Sequence, residues 1–345
     1  MRPRLAVVLF NLGGPDRPEA IWPFLVNVFT DPAILRVPSF VRPLLARRIA
    51  AARLEPARAS YAALGGRSPL LALTREQASA LERELTEFDA RCFVAMRYWH
   101  PLSEETAAEV RDWKPDEVVL LPLYPQYCSA TTGSSLAAWR EAAARVGLIV
   151  RTTALCCYPT DVAYVAATAA TIRAAWRSAR ERLPAGTGLR LLFSAHGLPE
   201  AVVQAGDPYQ WQIEQTVAEV LTNLTEVSDH VICYQSRATP QQWIGPSTEA
   251  EIERAAHDGV AVVVVPIAFV SDHSETLVEL DIDYRSLAER LEAPGYFRVP
   301  VANADPGFIT ALAGLVRSAR AKGPGVCSHV GRRACPSGRG LCPLP

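Results

Sequence analysis

Unbroken hydrophobic runs recur along the chain, each closed by turn-forming residues. LAVVLF at 5–10 stops at Asn11-Leu12-Gly13-Gly14-Pro15, and Leu191-Leu192-Phe193-Ser194-Ala195 stops at His196-Gly197-Leu198-Pro199. Runs of this kind are the pattern of parallel strands buried on both faces. Gly197 and Pro199 prevent the second run from continuing, which predicts His196 at the carboxyl end of a buried strand. In open α/β sheets ligands bind there. More strands are predicted at Cys92–Met96, at Val118–Leu121 and in VVVVPIAFVS at 262–271. Between them the pattern predicts a polar helix over Thr74–Phe88, a helix entered through the hydroxyl-rich Thr131-Thr132-Gly133-Ser134-Ser135, and a helix over Phe308–Lys322. Strands and helices alternating at this spacing predict parallel sheets.

The second half repeats the first. LAVVLFNLGGP at 5–15 matches LRLLFSAHGLP at 189–199, and VVLLPLYPQY at 118–127 matches VVVVPIAFVS at 262–271. This predicts two similar α/β domains with a cleft between them that collects residues from both sets of strand ends. A length of 345 residues also suits two cores rather than one. The reading divides the chain into 1–158, 159–305, a helix at 306–324 and a tail at 325–345.

Composition narrows the function classes. With 49% hydrophobic and 21% charged residues the chain reads as globular, and a net charge of −1 argues against nucleic-acid binding. No apolar run approaches the roughly 20 residues that span a bilayer. The N-terminus enters a strand at once, so no signal peptide and a cytoplasmic location are expected, with the eight cysteines outside structural disulfides.

Three stretches carry candidate chemistry. His196 at its strand end is either a satisfied structural histidine or a catalytic one. Glu275, Glu279 and Asp283 recur every four residues beside His273, which on an α-helix makes one acidic stripe, or else a solvated face. Residues 31–58 mix apolar positions with prolines and arginines. This suits a flat anionic ligand, a membrane face, or an ordinary amphipathic helix.

Ten short motifs, in order, resemble those of ferrochelatases, enzymes that insert ferrous iron into a porphyrin. They are NLGGP at 11–15, LGGRSPL at 64–70, MRYWHP at 96–101, LPLYPQY at 121–127, TTGSS at 131–135, SAHGLP at 194–199, GDPY at 206–209, CYQSR at 233–237, WIGP at 243–246 and PIAFVSDHSETLVELDIDY at 266–284. The resemblance covers nearly the whole chain. It implies two Rossmann-like, chelatase-type domains with protoporphyrin IX between them, Fe²⁺ as substrate and protohaem as product. It makes His196 the catalytic histidine and Glu275 its partner carboxylate, both able to touch the incoming metal. His273, Glu279 and Asp283 match a polar path for protons or metal. Leu12, Phe29, Ile34 and Trp99 are expected to wall the ring, Arg97 to line the pocket, and Arg53, Tyr61 and Ser68 to meet the propionates. The 31–53 segment resembles a lip that touches membrane in some relatives.

Metal insertion makes a clear demand on such residues. The ring must lose two pyrrole protons while the cation loses its waters. A neutral imidazole can accept the proton, and a carboxylate opposite can relay it.

Cys327, Cys335 and Cys342 crowd a tail that has no core of its own. Some ferrochelatases hold a [2Fe–2S] cluster on three C-terminal cysteines and one internal cysteine. By that likeness Cys157 is the internal ligand, with Cys156 and Cys128 as alternatives. A zinc site on Cys327, His329, Cys335 and Cys342, or a disordered tail, are the rival readings. For function the rivals are a non-catalytic porphyrin or haem carrier, and a chelatase for another metal or for coproporphyrin.

Overall fold

The computed structural model describes residues 2–236 and 241–345. It comprises two compact units, Met1–Cys157 with Leu312–Arg333 and Pro343–Pro345, and Tyr158–Ala311 with Ala334–Cys342.

The first unit runs β1 (Arg4–Asn11), α1 (Ile21–Thr30), α2 (Arg42–Ala63), α3 (Leu70–Glu84), β2 (Asp89–Met96), α4 (Ser103–Trp113), β3 (Glu117–Pro122), α5 (Ser134–Arg145) and β4 (Arg151–Leu155). Its parallel sheet has the order β2-β1-β3-β4-β9, where β9 is Gly325–Cys327 from the far end of the chain. Both faces of β1 are buried, as its unbroken hydrophobic run requires. Ala6, Val8 and Phe10 point to one face and pack on Ala107 and Val110 of α4 and on Leu136 and Trp139 of α5. The Phe10 and Trp139 rings meet edge to face at 5.9 Å. Truncating Phe10 to alanine would cost about 3–5 kcal/mol through lost transfer energy and the cavity left behind.

The second unit runs α6 (Val162–Arg182), β5 (Gly188–His196), α7 (Glu200–Gln204), α8 (Tyr209–Thr222), β6 (His230–Gln235), α9 (Thr248–His257), β7 (Val260–Pro266), α10 (Arg285–Arg290) and β8 (Tyr296–Arg298). Its sheet order, β6-β5-β7-β8, is the order of the first unit without the added fifth strand. The repeat seen in the hydrophobic runs is therefore a repeat of topology. It extends to a detail the runs do not show. In each unit the segment after the third strand is wound as a π-helix, Ser129–Gly133 in the first and Glu275–Tyr284 in the second. Such widened turns are frequent at functional sites.

Two expectations need correction, and a third is met. The hydroxyls of 131–135 do not cap α5, whose N-cap is Gly133. Cys128 caps the π turn instead, its Sγ accepting from the Ala130 N–H. The tail is not a separate appendage, because Gly325–Cys327 pairs with β4 and Ala334–Cys342 belongs to the second unit. The helix expected at 306–324 is α11 (Pro306–Lys322), whose residues up to Ala311 belong to the second unit and the remainder to the first.

Candidate active site

The second unit gathers His196, His273, Glu275 and Glu279. His196 closes β5 as its spacing predicts. Its Nδ1 lies 2.6 Å from the carbonyl oxygen of Gly197. A carbonyl only accepts, so Nδ1 carries the ring proton and the lone pair of a neutral ring sits on Nε2. That Nε2 faces Glu275 Oε1 at 3.7 Å. Glu275 Oε2 is 3.8 Å from His273 Nε2. Both distances exceed a hydrogen bond, so the carboxylate faces two imidazoles without sharing a proton with either. His273 stands buried against Phe269, ring centroids 4.6 Å apart, with neither ring nitrogen hydrogen-bonded.

The two glutamates have opposite environments. Burial would push the Glu275 carboxyl up, but His196, then His273 and the Ser236 hydroxyl, outweigh it and hold it down at about 2. Glu279 is shifted up, by burial first and by the negative charge of Glu275 second. The two carboxyls are thus shifted in opposite directions, the separation used where one site must both give and take protons.

Glu279 is tightly placed. It accepts from Gln235 Nε2 at 3.1 Å, the Ser236 N–H at 2.9 Å, the Ser236 hydroxyl at 2.6 Å and the Tyr284 hydroxyl at 2.9 Å. Ser236 takes a left-handed φ of 63°, and its two bonds to Glu279 offset the steric cost, about 1–2 kcal/mol. Gln235 is in turn held by Ser194 of β5, whose hydroxyl is 2.8 Å from Gln235 Oε1 and from Thr248 Oγ1.

Asp283 departs from expectation. It is exposed, while Tyr284 is buried and reaches Glu279. The stripe was read with the α-helical period of 3.6 residues. The segment is instead wound as a π-helix, bonding i to i+5, and of the two side chains about one turn beyond Glu279 it is Tyr284 that is buried. Tyr284, Gln235 and Ser236 escaped the sequence reading as site residues, although CYQSR contains two of them. The last residue of that motif, Arg237, lies outside the described residues.

The first unit brings together a second set. Asp31, with its side chain 2% exposed, pairs with the Arg97 guanidinium at 2.8 Å and accepts from the Tyr98 hydroxyl at 2.9 Å and from Ser134. Arg97 also donates to Ser134. Asp31, Arg97 and Ser134 line a cavity of about 470 Å³. Trp99 is buried and donates through Nε1 to Asp16 at 3.0 Å. Gly14 packs so closely on Ser68 that a Cβ there would meet its Oγ at 2.5 Å, with the Tyr61 hydroxyl at 3.8 Å. Phe29 packs against the small core around Tyr61, and Leu12 against the main core. Arg53 is half-buried on α2 and Ile34 is exposed.

The cysteines divide between the units. In the first, Cys157 and Cys327 are buried neighbours. The Cys156 N–H donates to the Cys327 carbonyl at 2.7 Å, the His329 N–H donates to that of Cys157 at 3.1 Å, and the Cys156 and Cys157 sulfurs are 3.1 Å apart. Burial pushes the Cys327 thiol up, against Lys322 and with Cys157. In the second, Cys335 is buried with its sulfur 3.1 Å from Gln212 Nε2, and Cys342 is half-buried. No disulfide forms, and no three His, Cys, Asp or Glu side chains are grouped to hold a metal ion, among the described residues.

The ferrochelatase family profile matches residues 4–320. The chain belongs to the ferrochelatase family. It is accordingly a metal chelatase, an enzyme. It is 49% identical to the ferrochelatase of Caulobacter vibrioides strain NA1000, over 99% of this chain and 98% of that one. It is 44% identical to the ferrochelatase of Pelagibacter ubique, over 90% of each. Among solved structures, SirB from Bacillus subtilis with Fe³⁺ superposes with a TM-score of 0.52 over 93% of this chain and 96% of that one. Sequence identity is only 13%, so this likeness speaks for the two-domain α/β fold alone.

Proposed function

We propose that the chain inserts Fe²⁺ into protoporphyrin IX to form protohaem, with His196 as the base that removes pyrrole protons. The observation that carries this reading is the 2.6 Å contact from His196 Nδ1 to the Gly197 carbonyl, which leaves the Nε2 lone pair to accept a proton. Once protonated, that ring becomes the cationic partner of Glu275, 3.7 Å away, and the carboxylate stabilises the charge just acquired. The ionised Glu275 also attracts the incoming cation as it sheds water. Glu279, whose carboxyl is shifted up by burial and by the charge of Glu275, and His273 complete the polar surroundings. For the ring we assign Leu12, Phe29, Ile34 and Trp99 as apolar contacts, Arg97, steadied by Asp31, as a lining residue, and Arg53, Tyr61 and Ser68 as propionate partners. The last three are an arginine and two hydroxyl side chains, suited to a carboxylate.

A [2Fe–2S] cluster on Cys157, Cys327, Cys335 and Cys342 belongs to the same proposal. The set is all-thiol, a donor set that suits such clusters, and three of its members are buried. Cys157 is favoured over Cys128 as the internal member because it neighbours Cys327, while Cys128 is occupied as a helix cap. When bound, the cluster would supply one-electron chemistry or a structural cross-link.

We further place the protein in the cytoplasm, in peripheral contact with a membrane. No helix among the described residues is long and apolar enough to cross one. Phe40 is 84% exposed and Leu44 65%, with Arg36, Arg42, Arg47 and Arg48 around them, the composition of an interfacial anchor.

The test is anaerobic metal insertion into protoporphyrin IX, followed by absorbance, for the wild type and His196→Ala. The expected result is turnover in the wild type and a loss of at least a hundredfold in the variant, with porphyrin binding kept. Tight porphyrin binding without wild-type turnover would instead identify a carrier.

A further inference from the structure

Neither ring nitrogen of His273 is hydrogen-bonded, so no bonded partner on the ring fixes its direction toward Glu275. Its aim comes from the Phe269 ring beside it and from the backbone that carries it. That backbone leaves β7, crosses 269–272 and enters the π-helix. Packing does not hold the crossing alone, because a cavity of about 40 Å³, with room for at least one water, opens beside Phe269, Val270, Val299 and Val301. Asn303, in the loop between β8 and α11, holds the crossing by three hydrogen bonds. Its N–H donates to the Val270 carbonyl at 2.9 Å. Its Oδ1 accepts from the Asp272 N–H at 3.0 Å, and its Nδ2 donates to Asp272 Oδ2 at 2.9 Å. The other Asp272 oxygen accepts from the Thr276 hydroxyl at 2.8 Å, and Thr276 Oγ1 accepts from the His273 N–H at 3.0 Å. Arg298 of β8 stands 3.3 Å from that same oxygen of Asp272.

We propose that Asn303 is a positioning residue for metal insertion, its clamp on Val270 and Asp272 aiming His273 at Glu275. The proposal rests on the reading of His196, His273 and Glu275 as the insertion site. Asn303 touches neither porphyrin nor metal in this scheme and acts through His273. Its side chain meets two opposite demands. A backbone N–H needs an acceptor and a carboxylate needs a donor, and an amide supplies both on one short stem. An aspartate of the same length offers only acceptors once ionised, and would set a second carboxylate against Asp272. The backbone at Asn303 is left-handed, with a φ of 43°. Asparagine tolerates that conformation better than most residues with a side chain, and only glycine takes it freely. Backbone held in such a region persists where surrounding contacts over-determine it, and it clusters at active sites. Here those contacts are the ones to Val270 and Asp272.

The test uses two substitutions in the full chain. Asn303→Gly keeps the left-handed turn and removes only the two side-chain bonds, while Asn303→Asp keeps the shape and removes the donor. In turnover with Zn²⁺ and protoporphyrin IX, each is expected to lower kcat about tenfold or more and to leave the porphyrin KM within about twofold. The second readout is the His273 imidazole in the resting protein, without porphyrin or metal, followed by NMR of ¹⁵N-labelled histidine and assigned with His273→Ala. Its chemical shift and pH titration are expected to move in both variants, while those of the exposed His257 on α9 stay in place. Far-UV circular dichroism confirms that each variant is folded. Wild-type kcat in both variants would overturn the proposal and leave the chelatase reading standing. A loss of kcat that leaves the His273 signal in place would make the contact merely structural and overturn it too. A wild type that does not metallate porphyrin would overturn the chelatase reading and the proposal with it.

Discussion

Gly197 fixes His196 through its own carbonyl oxygen, which sits 2.6 Å from the imidazole Nδ1. Its N–H in turn donates to the Gln235 carbonyl at 2.8 Å. A Cβ at Gly197 would lie 2.9 Å from that same oxygen and 3.3 Å from the Trp243 ring. The clash is with backbone, so the strand end itself must move. Gly197→Ala is expected to cut turnover at least tenfold and to destabilise the fold by about 1–3 kcal/mol. Chelatase assays and urea unfolding check both. Normal turnover would show that the ring is not oriented from this position.

Glu275 ties acid stability to the site. Its folded pKa of about 2 lies below the ordinary carboxyl value. A depressed pKa adds stability that is fully present above the unfolded value, and that is lost as pH falls toward the folded one. The stability of the wild type relative to Glu275→Gln should therefore decline as pH falls between about 4.5 and 2. Denaturant titrations at pH 7 and pH 3 measure the difference. A gap that widens in acid would contradict the assignment of His196 as the dominant partner.

Asp31 is the buried anchor of the first unit, bound by Arg97, Tyr98 and Ser134. Asp31→Asn removes its charge and leaves Arg97 without a counter-ion in a side chain that is only 21% exposed. Breaking a buried pair by removing one partner costs about 3–5 kcal/mol. A lowered thermal midpoint is expected, with most of the stability recovered when Arg97→Gln is added. A double-mutant cycle reads the coupling directly.

The cluster assignment predicts colour. The purified wild type should absorb in the visible and bleach with dithionite. Cys157→Ser and Cys327→Ser should each lose the colour and the bound iron, while Cys128→Ser keeps both. A colourless protein with one zinc per chain by metal analysis would move the assignment to zinc.

Much of the fold is legible because both sheets are parallel and buried. LAVVLF at 5–10 and the run closed by His196 need no tertiary information to be read as strands. Their equivalent places in two sheets of matching order follow from the repeat. His196 is legible too, since Gly197 and Pro199 mark the strand end. The acidic stripe is not. Its period was taken from the α-helix, whereas Glu275–Tyr284 is wound as a π-helix in which Asp283 is exposed and Tyr284 reaches Glu279. Asp31 and Arg97 are far apart in sequence, and nothing local in Asp31-Pro32-Ala33 announces a buried carboxylate. Gly325–Cys327 was missed as a strand because three residues at an edge carry too short a pattern to be seen.

That late strand bears on how the chain is made. β9 pairs with β4 through Thr153–Gly325, Ala154–Val326 and Leu155–Cys327. During synthesis β4 emerges well before its neighbour, and every residue of the second unit's sheet is translated in the interval. Until then the first sheet has four strands and an open edge at β4, the feature most prone to pair with another nascent chain. Arg151, at the start of β4, is exposed and places a charge on that edge. Sheet completion thus waits for the second unit's sheet to be translated, and a chain released by the ribosome before Gly325 would carry both units' sheets yet keep a strand-docking edge for the cell's chaperones to cover.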